Sequence, residues 1–216
     1  MPLPVNGPIV TPDGLCLVLA AIVLMALVAS GMHPYDRLTW FMEVVPVFIA
    51  APILAVSYRR FPLSDLLYAL IALHALVLIA GGAYTYARVP LGFWIENALG
   101  LQRNPYDRIG HFMQGLVPAL AAREILLRRG HVTGKRMAAF LSICVALAVS
   151  AFYELIEWWS AVALGQGADE FLGTQGDPWD TQWDMFTALI GAICAMAFLA
   201  RWQDARIAAI EQGLPP

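Results

Sequence analysis

The sequence predicts an all-α fold, a polytopic membrane protein in which six transmembrane helices form a single domain over residues 1–216. Three observations predict this fold class. Hydrophobic residues make up 60% of the chain and charged residues only 13%, about half the share found in a soluble domain. The mean hydropathy is +0.66. Most charges lie between long apolar runs, so the lipid bilayer is the expected partner of the chain and nucleic acid is excluded.

Six apolar runs reach or approach the ~20 residues needed to cross a bilayer. The first run is not preceded by basic residues, so we expect a retained helix rather than a cleaved signal peptide. Between the third and fourth runs, residues 87–104 are too short and too polar to cross, which predicts a short interfacial or re-entrant helix. The predicted spans are Gly14–Ser30, Trp40–Tyr58, Leu63–Tyr84, His111–Leu127, Met137–Trp159 and Trp183–Trp202.

The basic residues orient these spans, because loops rich in Lys and Arg stay in the cytoplasm. With six spans both termini lie on one side, and that side carries nine of the 13 basic residues. The nine are Arg59, Arg60, Arg123, Arg128, Arg129, Lys135, Arg136, Arg201 and Arg206, and the other four are Arg37, Arg88, Arg103 and Arg108. Both termini are therefore predicted to be cytoplasmic.

The acidic residues gather on the opposite, outer face of the predicted membrane domain. Eleven of the 16 acidic residues fall at or near this face. They are Asp36, Glu43, Glu96, Asp107, Glu154, Glu157, Asp169, Glu170, Asp177, Asp180 and Asp184. The sequence therefore predicts a concentrated acidic region on the outside.

Three consecutive helices carry polar side chains at the same predicted depth. Residues three, four or seven positions apart share one face of a helix. The residues with this spacing are Asp107, His111 and Gln114 on the fourth helix, Glu154 and Glu157 on the fifth, and Asp177, Asp180 and Asp184 at the start of the sixth. Ionisable side chains beside lipid are costly and mark functional sites, so we expect one shared site at the outer face.

The residue types at this site favour a divalent metal ion as the cofactor. Neutral imidazole and carboxylates are ligands for zinc, manganese or iron, and carboxylates alone suit magnesium or calcium. A site at headgroup depth predicts a lipid-linked headgroup as its ligand, whereas no residue is assigned a catalytic role. The predicted metal ligands are His111, Glu154, Glu157, Asp180 and Asp184, with Asp107, Gln114 and Asp177 as supporting residues or alternates.

Other interpretations of the same residues stay open. The acids can take up protons or pair with Arg103 and Arg108, and without a metal His111 beside an acid can act as a general acid–base pair. Asp107 also suits the first turn of a helix, where its charge complements the helix dipole. The nearby tryptophans fit an aromatic belt at the membrane surface; they are Trp158, Trp159, Trp179 and Trp183.

Familiar catalytic motifs are missing from the sequence. It has no His-Glu-x-x-His, no paired cysteines, no phosphate-binding glycine loop and no Gly-x-Ser-x-Gly. Cys16, Cys144 and Cys194 lie inside apolar runs and are predicted to be packing residues. An ATP-driven pump and covalent serine catalysis are therefore disfavoured.

Three segments of the chain resemble the YjdF-like proteins, a family of the bacterial inner membrane. They are Tyr106–Phe112 with the following Gln114-Gly115, Tyr153–Trp158, and Gly173–Met185. The resemblance covers nearly the whole chain. It implies the membrane fold and an inner-membrane location, and it implies no particular reaction.

A weaker similarity links the chain to VanZ-like membrane proteins, which are associated with glycopeptide-antibiotic resistance. Those proteins share an Asp-Lys-x-x-His helix start, a later helical Glu and a late acidic segment. Here Arg108 replaces the Lys, and Trp158 follows Glu157 where the VanZ-like pattern favours a later Gln. What the two share is a polar site formed by consecutive helices at one membrane face.

Two other classes of function compete with a metal-dependent site. A cation- or proton-coupled transporter would need polar groups that continue towards the cytoplasm, and few are present in the inner halves of the helices. An accessory subunit of a membrane complex, or a homo-oligomer, would use small residues for close helix packing, as in Gly81-Gly82-Ala83 and Gly191-Ala192.

Overall fold

The computed structural model describes residues 14–164 and 174–212, and every regular element within them is helical. Asp169, Glu170 and Gly173 of the sequence prediction lie outside these residues. The elements in order are α1 (Gly14–Met32), α2 (Arg37–Tyr58), α3 (Asp65–Tyr84), a 3-10 turn (Tyr86–Arg88), α4 (Pro90–Leu99), α5 (Tyr106–Arg128), α6 (Lys135–Leu164), α7 (Asp180–Cys194), a π-helical turn (Ala195–Leu199) and α8 (Ala200–Glu211). The predicted all-α fold is confirmed.

In the part of the chain that the structure describes, five helical stretches are long and apolar enough to cross a membrane. They are α1, α2, α3, α6 and the continuous stretch from α7 through α8, and they overlap the first, second, third, fifth and sixth predicted spans. The fourth predicted span is also helical, as α5, but its polar and charged residues together make it too polar for this apolar group. The count of six spans therefore stays a prediction.

Helix α5 lies at the centre of the bundle. It packs most extensively against α7 and α6, and also against α3. Glycines allow the closest approach, because a Cβ atom at Gly115 would meet the Ala188 carbonyl and one at Gly191 would meet the Phe112 carbonyl. Neighbouring helices thus cover much of α5, which explains how a helix with His111 and Glu124 can lie inside an apolar protein.

Helix α4 occupies the region predicted to be interfacial or re-entrant. With ten residues it is about half as long as a span requires. Pro90 starts the helix, where its missing N–H costs no hydrogen bond, and Gly100 ends it with a positive φ of 64°. The structure therefore contains the predicted short helix between α3 and α5.

The connection between α1 and α2 is fixed by local contacts. The Trp40 indole N–H donates to the Ser30 hydroxyl at 3.0 Å, and its ring packs against Gly31. Asp36 caps α2 by accepting the Thr39 N–H at 2.7 Å. This hydrogen bond holds the pKa of the Asp36 carboxyl below its usual value.

Candidate functional site

The polar residues of α5, α6 and α7 meet at one end of the bundle, around His111. This imidazole is only 5% exposed. Its Nε2 lies 3.4 Å from Asp107 Oδ1 and 3.7 Å from Asp184 Oδ1, while its Nδ1 lies 3.8 Å from Glu154 Oε1. We name the group the His111 cluster: Asp107, His111, Glu154, Glu157 and Asp184.

Among the described residues, two overlapping triplets of the His111 cluster could hold a metal ion. His111, Glu154 and Glu157 can each offer one ligand atom, and these atoms all lie within 4.8 Å of one another. The same holds for Asp107, His111 and Asp184. His111 belongs to both triplets, with one ring nitrogen facing each of them.

Glu154 is the unusual member of the cluster. Its side chain is 6% exposed, and neither carboxylate oxygen has a hydrogen-bond partner among the residues that the structure describes. Thr181 approaches Glu154 but stays outside hydrogen-bonding geometry. A buried carboxylate without partners costs several kcal/mol, on the order of 1–3 or more, which makes Glu154 a strong candidate for contact with a ligand.

Two arginines form ion pairs with the aspartates at this end of the bundle. Arg103 Nη1 donates to Asp180 Oδ1 at 2.6 Å and to Asp177 Oδ2 at 3.4 Å. Arg108 donates to Asp180 Oδ1 at 3.0 Å, to Asp177 Oδ2 at 3.3 Å and to Asp184 Oδ1. Pairing between acids and arginines, which the sequence left open, is therefore confirmed for the aspartates at the start of α7.

The structure thus divides the sequence-predicted residues into two groups. His111, Glu154 and Glu157 come together in one triplet, and Asp184 joins the second triplet while also pairing with Arg108. Asp180 and Asp177 face the arginines and belong to neither triplet. Two further residues flank the histidine: Asp107 on the Nε2 side, and Gln114 with its Oε1 3.1 Å from Nδ1.

Two residues beside the cluster were not among the site residues predicted from the sequence. Glu43 of α2 is 4% exposed and accepts a hydrogen bond from the Tyr153 hydroxyl at 3.2 Å. The Tyr153 ring stands edge-on to the His111 ring, with centroids 6.4 Å apart. A lone acid in an apolar span was a usable signal for Glu43, whereas nothing in the spacing singles out Tyr153.

A second polar group lies at the opposite end of α5, about 20 Å from His111 by the rise of the helix. We name it the Glu124 cluster: Ser64, Arg123, Glu124, Arg128, Gln203 and Asp204. Each carboxylate oxygen of Glu124 accepts two hydrogen bonds. The donors to Oε1 are the Ser64 backbone N–H and Arg128, and the donors to Oε2 are the Ser64 hydroxyl and Gln203. Arg123 links this group to Asp204 at 2.6 Å.

An apolar layer separates the two clusters. Leu67 of α3 and four residues of α5 are buried in one contiguous core; the four are Met113, Leu116, Val117 and Leu120. The four α5 residues lie between His111 and Arg123. On α5 itself, every residue between Gln114 and Arg123 is apolar.

Comparisons with known proteins place the chain in a family. Residues 15–205 match the family described as "Predicted membrane protein (DUF2238)". The "Inner membrane protein YjdF" of Escherichia coli (strain K12) is 61% identical over 178 residues, which cover 82% of this chain and 85% of that protein. No solved structure matches. The YjdF-like resemblance is thereby confirmed, and the VanZ-like similarity stays a prediction; the chain belongs to the YjdF-like family of integral inner-membrane proteins.

Proposed function

We propose that this protein binds a divalent cation between His111, Glu154 and Glu157. The observation that carries the proposal is the buried Glu154 carboxylate, which has no hydrogen-bond partner among the described residues and lies 3.8 Å from the His111 Nδ1. A cation between these groups would supply the missing partner for Glu154. Imidazole with carboxylates is a ligand set suited to zinc, manganese or iron.

The surroundings of His111 suit a metal ligand. The Nδ1 atom lies 3.1 Å from Gln114 Oε1 and 3.8 Å from Glu154 Oε1, so a cation bound there would replace the Nδ1 proton, while Nε2–H faces the Asp107 carboxylate at 3.4 Å. A carboxylate behind the imidazole fixes the ring and raises its basicity as a ligand. Gln114 Oε1 lies beside the same Nδ1 and would add an oxygen ligand.

Closing the site on a cation requires small side-chain movements. Zinc bonds of about 2.0–2.2 Å in a tetrahedron place ligand atoms about 3.4 Å apart. The present spacing of up to 4.8 Å would therefore contract by up to about 1.4 Å. Rotation of the Glu154 and Glu157 side chains on α6 can supply this movement without a shift of the helices.

Charge balance also favours a cation here. The five residues of the His111 cluster include four carboxylates: Arg108 pairs with Asp184 and Arg103 lies 3.7 Å from Asp107, whereas Glu154 and Glu157 face His111. Several carboxylates in an apolar site either take up protons or bind cations. A divalent ion would neutralise two of them and relieve the repulsion between Glu154 and Glu157.

The membrane orientation in this proposal follows the basic residues. Six spans, with α5 as the fourth, put the Glu124 cluster and both termini on the cytoplasmic side and the His111 cluster on the outer side. Large aromatic side chains are exposed at the outer ends of α6 and α7: Trp158, Trp159, Trp179 and Trp183. Such a belt suits headgroup depth, so we assign a lipid-linked headgroup as the polar ligand that meets the cation.

The two competing functions stand differently. The apolar layer of Leu67, Met113 and Leu120 argues against a transport path from the His111 cluster across the bundle. A role as accessory subunit or homo-oligomer is not addressed by the contacts within one chain and stays a prediction.

Isothermal titration of chelator-treated protein in detergent with Zn²⁺, Mn²⁺ and Mg²⁺ tests the proposal. We expect one ion per chain, with zinc or manganese bound more tightly than magnesium. Removing a ligand in His111→Ala or Glu154→Gln should weaken binding at least about 100-fold, since even supporting residues of metal sites contribute about 10–100-fold.

Glu96→Gln is the matched control, because it removes an acid at the same end of the bundle but outside both triplets. It should leave the affinity unchanged. Binding that is absent in the native chain, or equally reduced by Glu96→Gln and Glu154→Gln, would count against a site at His111. A headgroup analogue that binds only to the cation-loaded protein would support the lipid assignment, and equal binding without the cation would contradict it.

A further inference from the structure

A groove lies between α1, α2 and α3, in the half of the bundle away from the His111 cluster. Helices α1 and α2 both pack along α3 but hardly contact each other. Trp40 closes the space near the α1–α2 connection through Ser30 and Gly31. The remaining cavity measures about 450 Å³, which is within the about 300–1,000 Å³ of typical small-molecule sites.

The walls of this groove are almost entirely apolar. Small alanine side chains stand where the three helices face one another, so the space between the helices is not filled. They are Ala20 on α1, Ala50, Ala51 and Ala55 on α2, and Ala72 and Ala75 on α3. A cavity with such walls excludes water and favours a hydrocarbon chain.

The groove ends at a positive charge. Arg59 follows the last residue of α2 and lines the cavity, whereas the adjacent Arg60 does not. Arg59 is exposed, so its guanidinium can reach a ligand at the membrane surface. A guanidinium forms two hydrogen bonds with a phosphate group, and basic residues beside an apolar groove select anionic lipids.

We propose that this groove binds an anionic phospholipid, with one acyl chain between α1 and α2 and the phosphate on Arg59. The charge at one end and the apolar walls along the rest match the two parts of such a molecule. The site shares no residue with the His111 cluster, so it stands or falls independently of the cation site.

Native mass spectrometry in detergent tests the headgroup contact, with phosphatidylglycerol and phosphatidylcholine of identical chains as probes. The native protein should retain more phosphatidylglycerol. In Arg59→Gln this preference should fall about fivefold, the effect of one basic residue near an anionic headgroup. Arg60→Gln is the control and should keep the preference. Equal losses in both variants, or no preference in the native protein, would overturn the proposed role of Arg59.

A second variant tests the acyl chain. Ala51 is exposed in the groove, so Ala51→Phe fills the space without disturbing the packed core. It should abolish retention of both lipids at an unchanged melting temperature. Ala20→Phe fills the groove from α1 and repeats the test if Ala51→Phe unfolds. Full lipid retention in a folded groove-filling variant would overturn the proposal.

Discussion

Glu124 and Glu154 are both buried glutamates, yet their surroundings at the two ends of the bundle are opposite. Glu124 is fully buried and accepts four hydrogen bonds, including one from Arg128. Glu154 is 6% exposed and accepts none from the described residues. A buried carboxylate whose hydrogen bonds are all satisfied is compatible with a stable fold. A buried carboxylate without hydrogen-bond partners lowers the stability of the fold. The Glu124 cluster thus joins α3, α5 and α8 by hydrogen bonds, whereas the unpartnered Glu154 supports our proposal that the His111 cluster binds a ligand.

The two clusters also differ in their ratio of basic to acidic side chains. In the Glu124 cluster two arginines, Arg123 and Arg128, balance two acids, Glu124 and Asp204, and the exposed Lys135 adds a further positive charge beside Asp204. Around His111 the carboxylates outnumber the arginines. The two ends can therefore be distinguished by experiment, through unfolding free energies on one side and ligand binding on the other.

The largest expected effect is on the Glu124 cluster. Glu124→Ala would remove the carboxylate that pairs with Arg128, leaving that side chain its contact with the Pro62 carbonyl, and would remove the acceptor of both Ser64 donors. We expect the free energy of unfolding to fall by about 3–5 kcal/mol, measured by chemical unfolding in detergent. A loss below about 1 kcal/mol would show that Glu124 does not hold the helices together.

Arg108→Gln should have the next largest effect, because Arg108 contacts Asp177, Asp180 and Asp184. Since this side chain is partly exposed, we expect a loss of about 2–3 kcal/mol rather than the full cost of a broken buried pair. Saturating zinc should recover part of that loss, because it replaces the missing positive charge. An unchanged melting temperature of this variant in zinc would contradict the expected coupling between Arg108 and the cation site.

Tyr153→Phe isolates the hydrogen bond to Glu43. Loss of the hydroxyl removes a donor from a carboxylate that is 4% exposed, so we expect unfolding to become easier by about 1–2 kcal/mol. Tyr84→Phe, at an exposed tyrosine, is the control and should be neutral. Equal stability of the two variants would mean that the Glu43 contact contributes nothing.

Asp36→Ala removes a carboxylate that lies outside both clusters. Loss of this α2 cap should cost about 1 kcal/mol, measured near neutral pH. Because the folded pKa of Asp36 lies below its usual value, its contribution is present above the unfolded pKa of about 4 and is lost as the pH falls through the folded pKa. A difference between native and variant stability that grows on acidification would contradict this sign.

Glu154→Gln should have the smallest effect on stability. The substitution removes a buried charge without breaking any hydrogen bond of the described residues. We expect the unfolding free energy of the cation-free protein to stay within about 0.5 kcal/mol or to rise. A loss similar to that in Glu124→Ala would remove the contrast between the two clusters.

The sequence predicted the main features of the His111 cluster. Helical spacing brought Asp107 and His111 to one face, and the structure brings Glu154 and Glu157 to within ligand distance of the same ring. The acids were unusual in an apolar chain, and that chemical contrast is what made the site visible without a structure.

Other features depend on packing, which spacing along one helix does not show. The assignment of Asp180 to the arginines follows from how α7 lies against the segment before α5. The Tyr153–Glu43 contact joins residues 110 positions apart. The number of spans is also left to prediction, since α5 is polar enough to fall outside the apolar class.

X-ray absorption at the zinc K edge, on protein loaded with one zinc equivalent, tests the central claim most directly. The account predicts a nearest shell of nitrogen and oxygen at about 2.0–2.2 Å, with the outer scattering of a single imidazole that is lost in His111→Ala. A sulfur shell at about 2.3 Å, or an imidazole signal that survives His111→Ala, would contradict it, because the zinc would then lie at the cysteines or at another histidine.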